Sequence, residues 1–241
     1  MKTSISNPVR AHNSNQSFKC HKLFSPTMPK KETIIVFSAH TDDYVIGAGG
    51  SIGKYVREGK KVIAVVFSFG EKGYFWMKEH LIKKAGAKES VEASTLLGCE
   101  TVFLHLRDQH IAADYKKKKI EKKLLTLLNK QKPTKIFTHS SEDPHPDHRA
   151  VHHATIAMYE KLRHKPEVYT YSVWNPVSIK TLFPALYVDV TKTFKIKMKA
   201  LKTFESQKIH IAYPVILLVF RAIKDGFRVK GWLGEHFFKI R

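Results

Sequence analysis

The chain has 241 residues, 43% of them apolar, which fits one globular domain with a sizeable core and argues against a fibre or a wholly disordered chain. Forty-two lysines and arginines stand against 21 acids, a formal charge of +21; this favours anionic partners such as phospholipid, nucleic acid or acidic glycans, and a well-solvated basic surface accounts for it equally well. Cys20 and Cys99 provide neither a disulfide framework nor a zinc ribbon, and no run reaches the roughly 20 apolar residues that span a bilayer.

Residues 1 to 30 are rich in Ser, Asn, Pro and Lys and lack both periodicity and a signal-peptide core. They read as a disordered basic lead-in, and residues 31 to 241 as the domain. "TIIVFS" (33–38) is a short β-branched run suited to a buried parallel strand. "VIGAGGSIGKYVREG" (45–59) reads as a helix with glycines near its start and Gly59 as its stop. Strand-like "KKVIAVVFSFG" (60–70) is followed by a helix over 83–98 that Gly98 closes, and by "ETVFLHL" (100–106) as a third strand. A lysine-rich helix is predicted over 117–131, with Ile120, Leu124, Leu127 and Leu128 at helical spacing; "TKIFTH" (134–139) is the fourth strand. A helix over 147–162, strands at 167–173 and 186–190, and a helical portion from about Lys192 complete the reading. "IAYPVILLVF" (211–220) is too short to span a bilayer and reads as a buried helix or an apolar interface. Strands alternating with helices predict an α/β, three-layer Rossmann-like fold with a mostly parallel sheet.

Ligands of such sheets bind beyond the C-terminal strand ends. That places "HTDD", "FGEKG", "RDQH" and "HSSEDPHPDH" on one rim. Two clusters stand out there: His40, Asp42 and Asp43, and His145, Asp147 and His148. Two histidines and one aspartate from two loops supply the three protein ligands of a catalytic zinc site, whose metal makes water nucleophilic near neutral pH. Asp42 and Asp43 are adjacent and point differently, so one can hold a metal while the other takes a proton. His145 suits a developing oxyanion or a leaving amine. Taken singly, "DD" is more often a helix cap and "HPDH" a turn entering a helix; both on one rim make coincidence much harder.

"AHTDDYVIGAGGSIGKYVREGKKVIAVVFSFGEKG", "LLGCETVFLHLRDQHI" and "DPHPDHRAVHHATI" together resemble the LmbE/PIG-L family of zinc-dependent deacetylases, which remove acetyl groups from N-acetylglucosamine units of conjugates, oligosaccharides or glycolipids. The resemblance runs from about residue 33 to 160, with a weaker echo over 187–207. It implies that His40, Asp43 and His148 hold Zn2+ (or Fe2+ or Co2+), that Asp42 is the general base, and that His145 stabilises the oxyanion with Asp147 orienting it. Asp108 matches an acidic position that contacts the sugar. Thr41 stands where the family usually has Pro, which is expected to loosen the loop. Tyr44 replaces a usual Glu and is expected to remove a carboxylate from the rim. The family's substrate-binding Arg has no counterpart between residues 58 and 106, leaving Lys83 or Lys84 as replacements without its bidentate fork.

The implied partner is an amino-sugar substrate, in a cytoplasmic protein that sits at a membrane surface if its basic side binds anionic lipid. An oligomer is compatible with the sequence. The competing readings are an iron oxygenase using the same triad, a dinucleotide loop at "GAGG", and a non-catalytic module that binds anionic lipid or nucleic acid through "YKKKKIEKK" (115–123). "HTDDYVI" between strand and glycines counts against the dinucleotide loop, and no RNA-binding aromatic motif accompanies the lysines. Phe75 and Trp76 are placed either to stack on a sugar or to pack under their loop.

Overall fold

Thr33–Ser38 forms strand β1, with all six residues buried. The computed structural model describes residues 31–72, 78–175, 183–206 and 215–241. The lead-in expected over residues 1 to 30 lies outside the described residues, as do Phe75 and Trp76. The remaining strands are β2 (Lys61–Ser68), β3 (Glu100–Leu106), β4 (Lys135–His139), β5 (Glu167–Tyr171), β6 (Ala185–Asp189) and β7 (Gly234–Lys239). They make one sheet in the order β3-β2-β1-β4-β5-β7-β6. The pairings β3-β2, β2-β1, β1-β4 and β4-β5 are parallel, while β7 runs antiparallel to both β5 and β6.

The helices are α1 (Asp43–Arg57), α2 (Glu79–Leu97), α3 (Ile111–Lys117), α4 (Ile120–Gln131), α5 (Pro146–Lys161), α6 (Phe194–Leu201) and α7 (Val215–Gly226). Strand periodicity sorts the core into two layers. Ile34, Val36, Val62 and Ala64 pack with α1, α2, α6 and α7; Ile35, Phe37, Ile63 and Val65 pack with α3, α4 and α5. The fold is therefore three-layered and mostly parallel, as the alternation predicts.

Two elements differ from the sequence expectation. The lysine-rich helix expected over 117–131 is α4, and a further helix, α3, precedes it; Lys119 between the two is left-handed, with a φ of 51°. Ile111 and Ile120 are both buried, so the break lets both ends of this segment reach the core. The C-terminal portion is not all helical, because it ends in β7, inserted between β5 and β6. Gly98 closes α2 in the left-handed conformation (φ 75°), where a side chain would be strained.

Candidate active site

His40 follows β1, Glu71 follows β2, Asp108 follows β3, and His139 ends β4. Parallel strands bring all four to one edge of the sheet, where the start of α5 adds His145, Asp147 and His148. Pro146 opens α5 with its φ already helical and no N–H to satisfy, and the His145 imidazole caps the helix by accepting the Asp147 N–H through Nδ1 at 3.2 Å.

Three donors converge. His40 Nδ1, Asp43 Oδ2 and His148 Nε2 are each 3.3 Å from the other two. A tetrahedral centre with bonds of about 2.0–2.1 Å spaces its donors about 3.3–3.4 Å apart. The two nitrogens and one carboxylate oxygen thus fit a divalent metal in both donor type and spacing. Each imidazole is held from behind. Asp108 Oδ1 lies 3.2 Å from His40 Nε2, and Asp143 Oδ1 lies 3.0 Å from His148 Nδ1. A proton on each rear nitrogen leaves His40 Nδ1 and His148 Nε2 as the lone-pair donors.

Charge at the cluster follows from this packing. Burial works against the charged form of His40, but Asp108, Asp147 and Asp43 outweigh it and hold its imidazole well above the usual range. Burial is likewise opposed at His148, where Asp43 and Asp143 lift it to about 9. The same negative field attracts a metal, which competes with those protons. Burial would raise Asp43, yet His148 and His139 hold it well below an ordinary carboxyl. Burial, then the charge of Asp43, pushes Asp42 up to about 7. Although Asp42 occupies the N-cap of α1, its carboxylate makes no capping hydrogen bond; its carbonyl accepts the Val45 and Ile46 N–H groups instead. Capping therefore does not account for the acid at this position.

Four residues sit differently from expectation. Asp108, expected to contact the sugar, is 3% exposed and engaged by His40, and its Oδ2 accepts the Lys72 N–H at 2.9 Å. Asp147 reaches His145 through its main-chain N–H, whereas its carboxylate accepts the Gln109 N–H at 2.6 Å and the Ile111 N–H at 3.4 Å, tying the β3–α3 loop to α5. Tyr44 removes nothing from the rim, because it is wholly buried and its hydroxyl donates to the Ser90 carbonyl of α2. Thr41 is also buried, and its carbonyl accepts from Ser90 Oγ, so α2 ties down the stretch expected to be loose. Lys83 pairs with the buried Glu71 at 3.0 Å. His152 is buried with Nδ1 2.9 Å from the His139 carbonyl, and His153 is exposed.

His139 and Asp143 escaped the sequence reading. His139 Nε2 accepts the Ala39 N–H at 2.9 Å, and its ring stacks on His148 at 4.0 Å. Burial, then the charge of His148, keeps this imidazole neutral. Its position at the C-terminal end of a parallel strand was the available sign. For Asp143 the sign was its place two residues before His145, whose N–H it accepts at 3.0 Å.

The sequence profile described as "PIG-L: GlcNAc-PI de-N-acetylase" matches residues 35–159, just over half of the chain. The chain belongs to the PIG-L family. This PIG-L chain is 28% identical over 208 residues to the 4-oxalmesaconate hydratase of Pseudomonas putida, covering 78% of this chain and 79% of that protein. It is 23% identical over 208 residues to the diacetylchitobiose deacetylase of Thermococcus kodakarensis, covering 80% and 75%. The N,N'-diacetylchitobiose deacetylase of Pyrococcus horikoshii superposes with a TM-score of 0.72 at 24% identity, over 88% of this chain and 84% of that one, which is a likeness of fold.

Proposed function

We propose that this PIG-L chain is a zinc-dependent hydrolase that removes the N-acetyl group from an N-acetylglucosamine-type amino sugar. One observation carries the reading: three metal donors lie 3.3 Å apart beside a carboxylate, Asp42, that makes no cap hydrogen bond. His40, Asp43 and His148 would hold a divalent metal, which would supply a water nucleophilic near neutral pH and polarise the acetyl carbonyl. Asp42 takes the proton from the attacking water and delivers it to the leaving nitrogen. With Nδ1 of His145 accepting from Asp147, the neutral ring carries its proton on Nε2, the nitrogen able to donate to the carbonyl oxygen as charge grows there. The water oxygen bonds to the acetyl carbon, the carbon–nitrogen bond breaks, and acetate and a free amine leave. The T. kodakarensis and P. horikoshii deacetylases support the amino-sugar class.

The test is Asp42→Ala. Turnover of an N-acetylglucosamine conjugate falls about 10²–10⁴-fold while elemental analysis shows unchanged metal content. Equal turnover would remove Asp42 from the chemistry.

Likeness to the P. putida hydratase favours a second reading, addition of water to a double bond at the same metal. It predicts neither amine nor acetate as product.

A further inference from the structure

Helix α7 turns an apolar stripe away from the protein. Ile216 is 74% exposed, Phe220 73% and Ile223 45%; Phe227, just past the helix, is 86% exposed and Trp232 83%. The spacing of 216, 220, 223 and 227 places the first four along one helical face. The opposite face, Leu218 and Ala222, is buried in the core. A soluble surface seldom exposes so much contiguous aromatic and aliphatic area without a partner. Lys224, Arg228 and Lys230 are exposed beside the stripe, and Arg221, Lys224 and Arg228 also line a cavity of about 510 Å³ between α7 and strands β5, β6 and β7. Asp225 and Glu235 share that cavity, but His236 lies 2.6 Å from the first and Lys197 2.7 Å from the second.

Topology fixes where the stripe lies. Because β7 is antiparallel, Gly234 pairs with Asp189 at the C-terminal end of β6, and Leu233 accepts the Val190 N–H. The turn carrying Phe227 and Trp232 is therefore on the same edge of the sheet as the histidine cluster. Arg221 of α7 donates to the Val173 and Asn175 carbonyls, and the intervening Trp174 N–H donates to Asp143, the carboxylate behind His148. A short series of bonds thus connects the apolar helix to the metal-facing rim.

We propose that this face of α7 and the turn after it dock on an anionic phospholipid surface, with the rim bearing His40 and His148 turned toward the bilayer. Aromatic and aliphatic side chains with lysines and arginines alongside are the composition of an interfacial helix. A second copy of this chain is a poor occupant, because a two-fold contact would bring Lys224, Arg228 and Lys230 against themselves in a chain of charge +21.

The experiment is co-sedimentation of the full chain with phosphatidylcholine vesicles, with and without phosphatidylglycerol, at low and high salt. The wild-type chain sediments with the anionic vesicles and at least about tenfold less with neutral ones or in high salt. Phe220→Glu/Phe227→Glu weakens the anionic-vesicle binding at least about tenfold; both side chains are largely exposed, and an unchanged circular dichroism spectrum shows that the fold is kept. His148→Ala binds vesicles as the wild type does, so vesicle binding is read independently of deacetylation. No sedimentation with anionic vesicles overturns the proposal, as does equal binding by the double variant. A wild-type dimer in light scattering that becomes monomeric in the double variant assigns the stripe to self-association and overturns it too.

Discussion

Each metal-facing imidazole has a carboxylate at its other nitrogen: Asp108 behind His40 and Asp143 behind His148. Such partners fix ring orientation and basicity, so their loss weakens the metal without removing a ligand. Asp108→Asn and Asp143→Asn are each expected to lower zinc affinity about 10–100-fold, read by competition with a chromophoric chelator. Unchanged affinity in both would deny them this role. The donors themselves were legible in sequence, because "HTDD" and "HPDH" place two histidines and an aspartate beyond two predicted strand ends. Their supports were less so. Asp108 was visible as an acid on the rim, but the direction of its carboxylate depends on where His40 sits, 68 residues earlier. His139 looked like the last residue of a strand, and only the fold stacks it on His148.

At the scale of elements, α1 carries the first cluster and is held by contacts made far along the chain. A Cβ added at Gly47 would overlap the ring of Tyr171, whose hydroxyl donates to the Phe37 carbonyl and lies 3.1 Å from His139. The glycine serves close packing, because the space beside it is filled by the ring of Tyr171. Gly47→Ala is expected to cost about 1–3 kcal/mol in urea denaturation, with α1 pushed away from Tyr171 of β5. Farther along α1, Glu235 of β7 accepts the Gly50 and Ser51 N–H groups, while Lys197 of α6 donates to both Glu235 and the Ile46 carbonyl. Lys197→Met leaves a buried carboxylate without its cation and is expected to destabilise the fold by about 3–5 kcal/mol; a loss under 1 kcal/mol by the same measurement would contradict it. This pair also explains why β7 escaped the sequence reading. In "GEHFFK" the inward position next to Phe237 is a glutamate, which breaks the apolar alternation that marks a strand. Helix α3 was missed because its end, at Lys117 and Lys118, carries neither glycine nor proline.

Across the whole molecule, the excess of basic residues shapes stability as well as partners. Glu167 on β5 lies 2.7 Å from Lys135 and 2.6 Å from Lys239, which hold its carboxyl down at about 2, against an ordinary value of 4.5. A depressed carboxyl stabilises the fold fully above its unfolded value and loses that contribution as pH falls through the folded one. Glu167→Gln should therefore lower the urea midpoint at pH 7, and the gap from wild type should close between about pH 4.5 and 2. An equal gap at pH 7 and pH 2 would contradict it. The three-layer order was legible because parallel strands need helical crossovers. The exposed side of α7 was not, since an apolar run reads alike whether it faces a core or a partner. No helix among the described residues is long and apolar enough to cross a membrane.

The most direct measurement is simultaneous quantification of acetate and free amine released from N-acetylglucosamine conjugates, soluble and lipid-linked, by the metal-loaded, chelator-treated and zinc-restored protein. Equimolar acetate and amine are expected from at least one conjugate, lost on chelation and recovered with zinc. Release of neither product from any conjugate, or release that persists after complete metal removal, would contradict it.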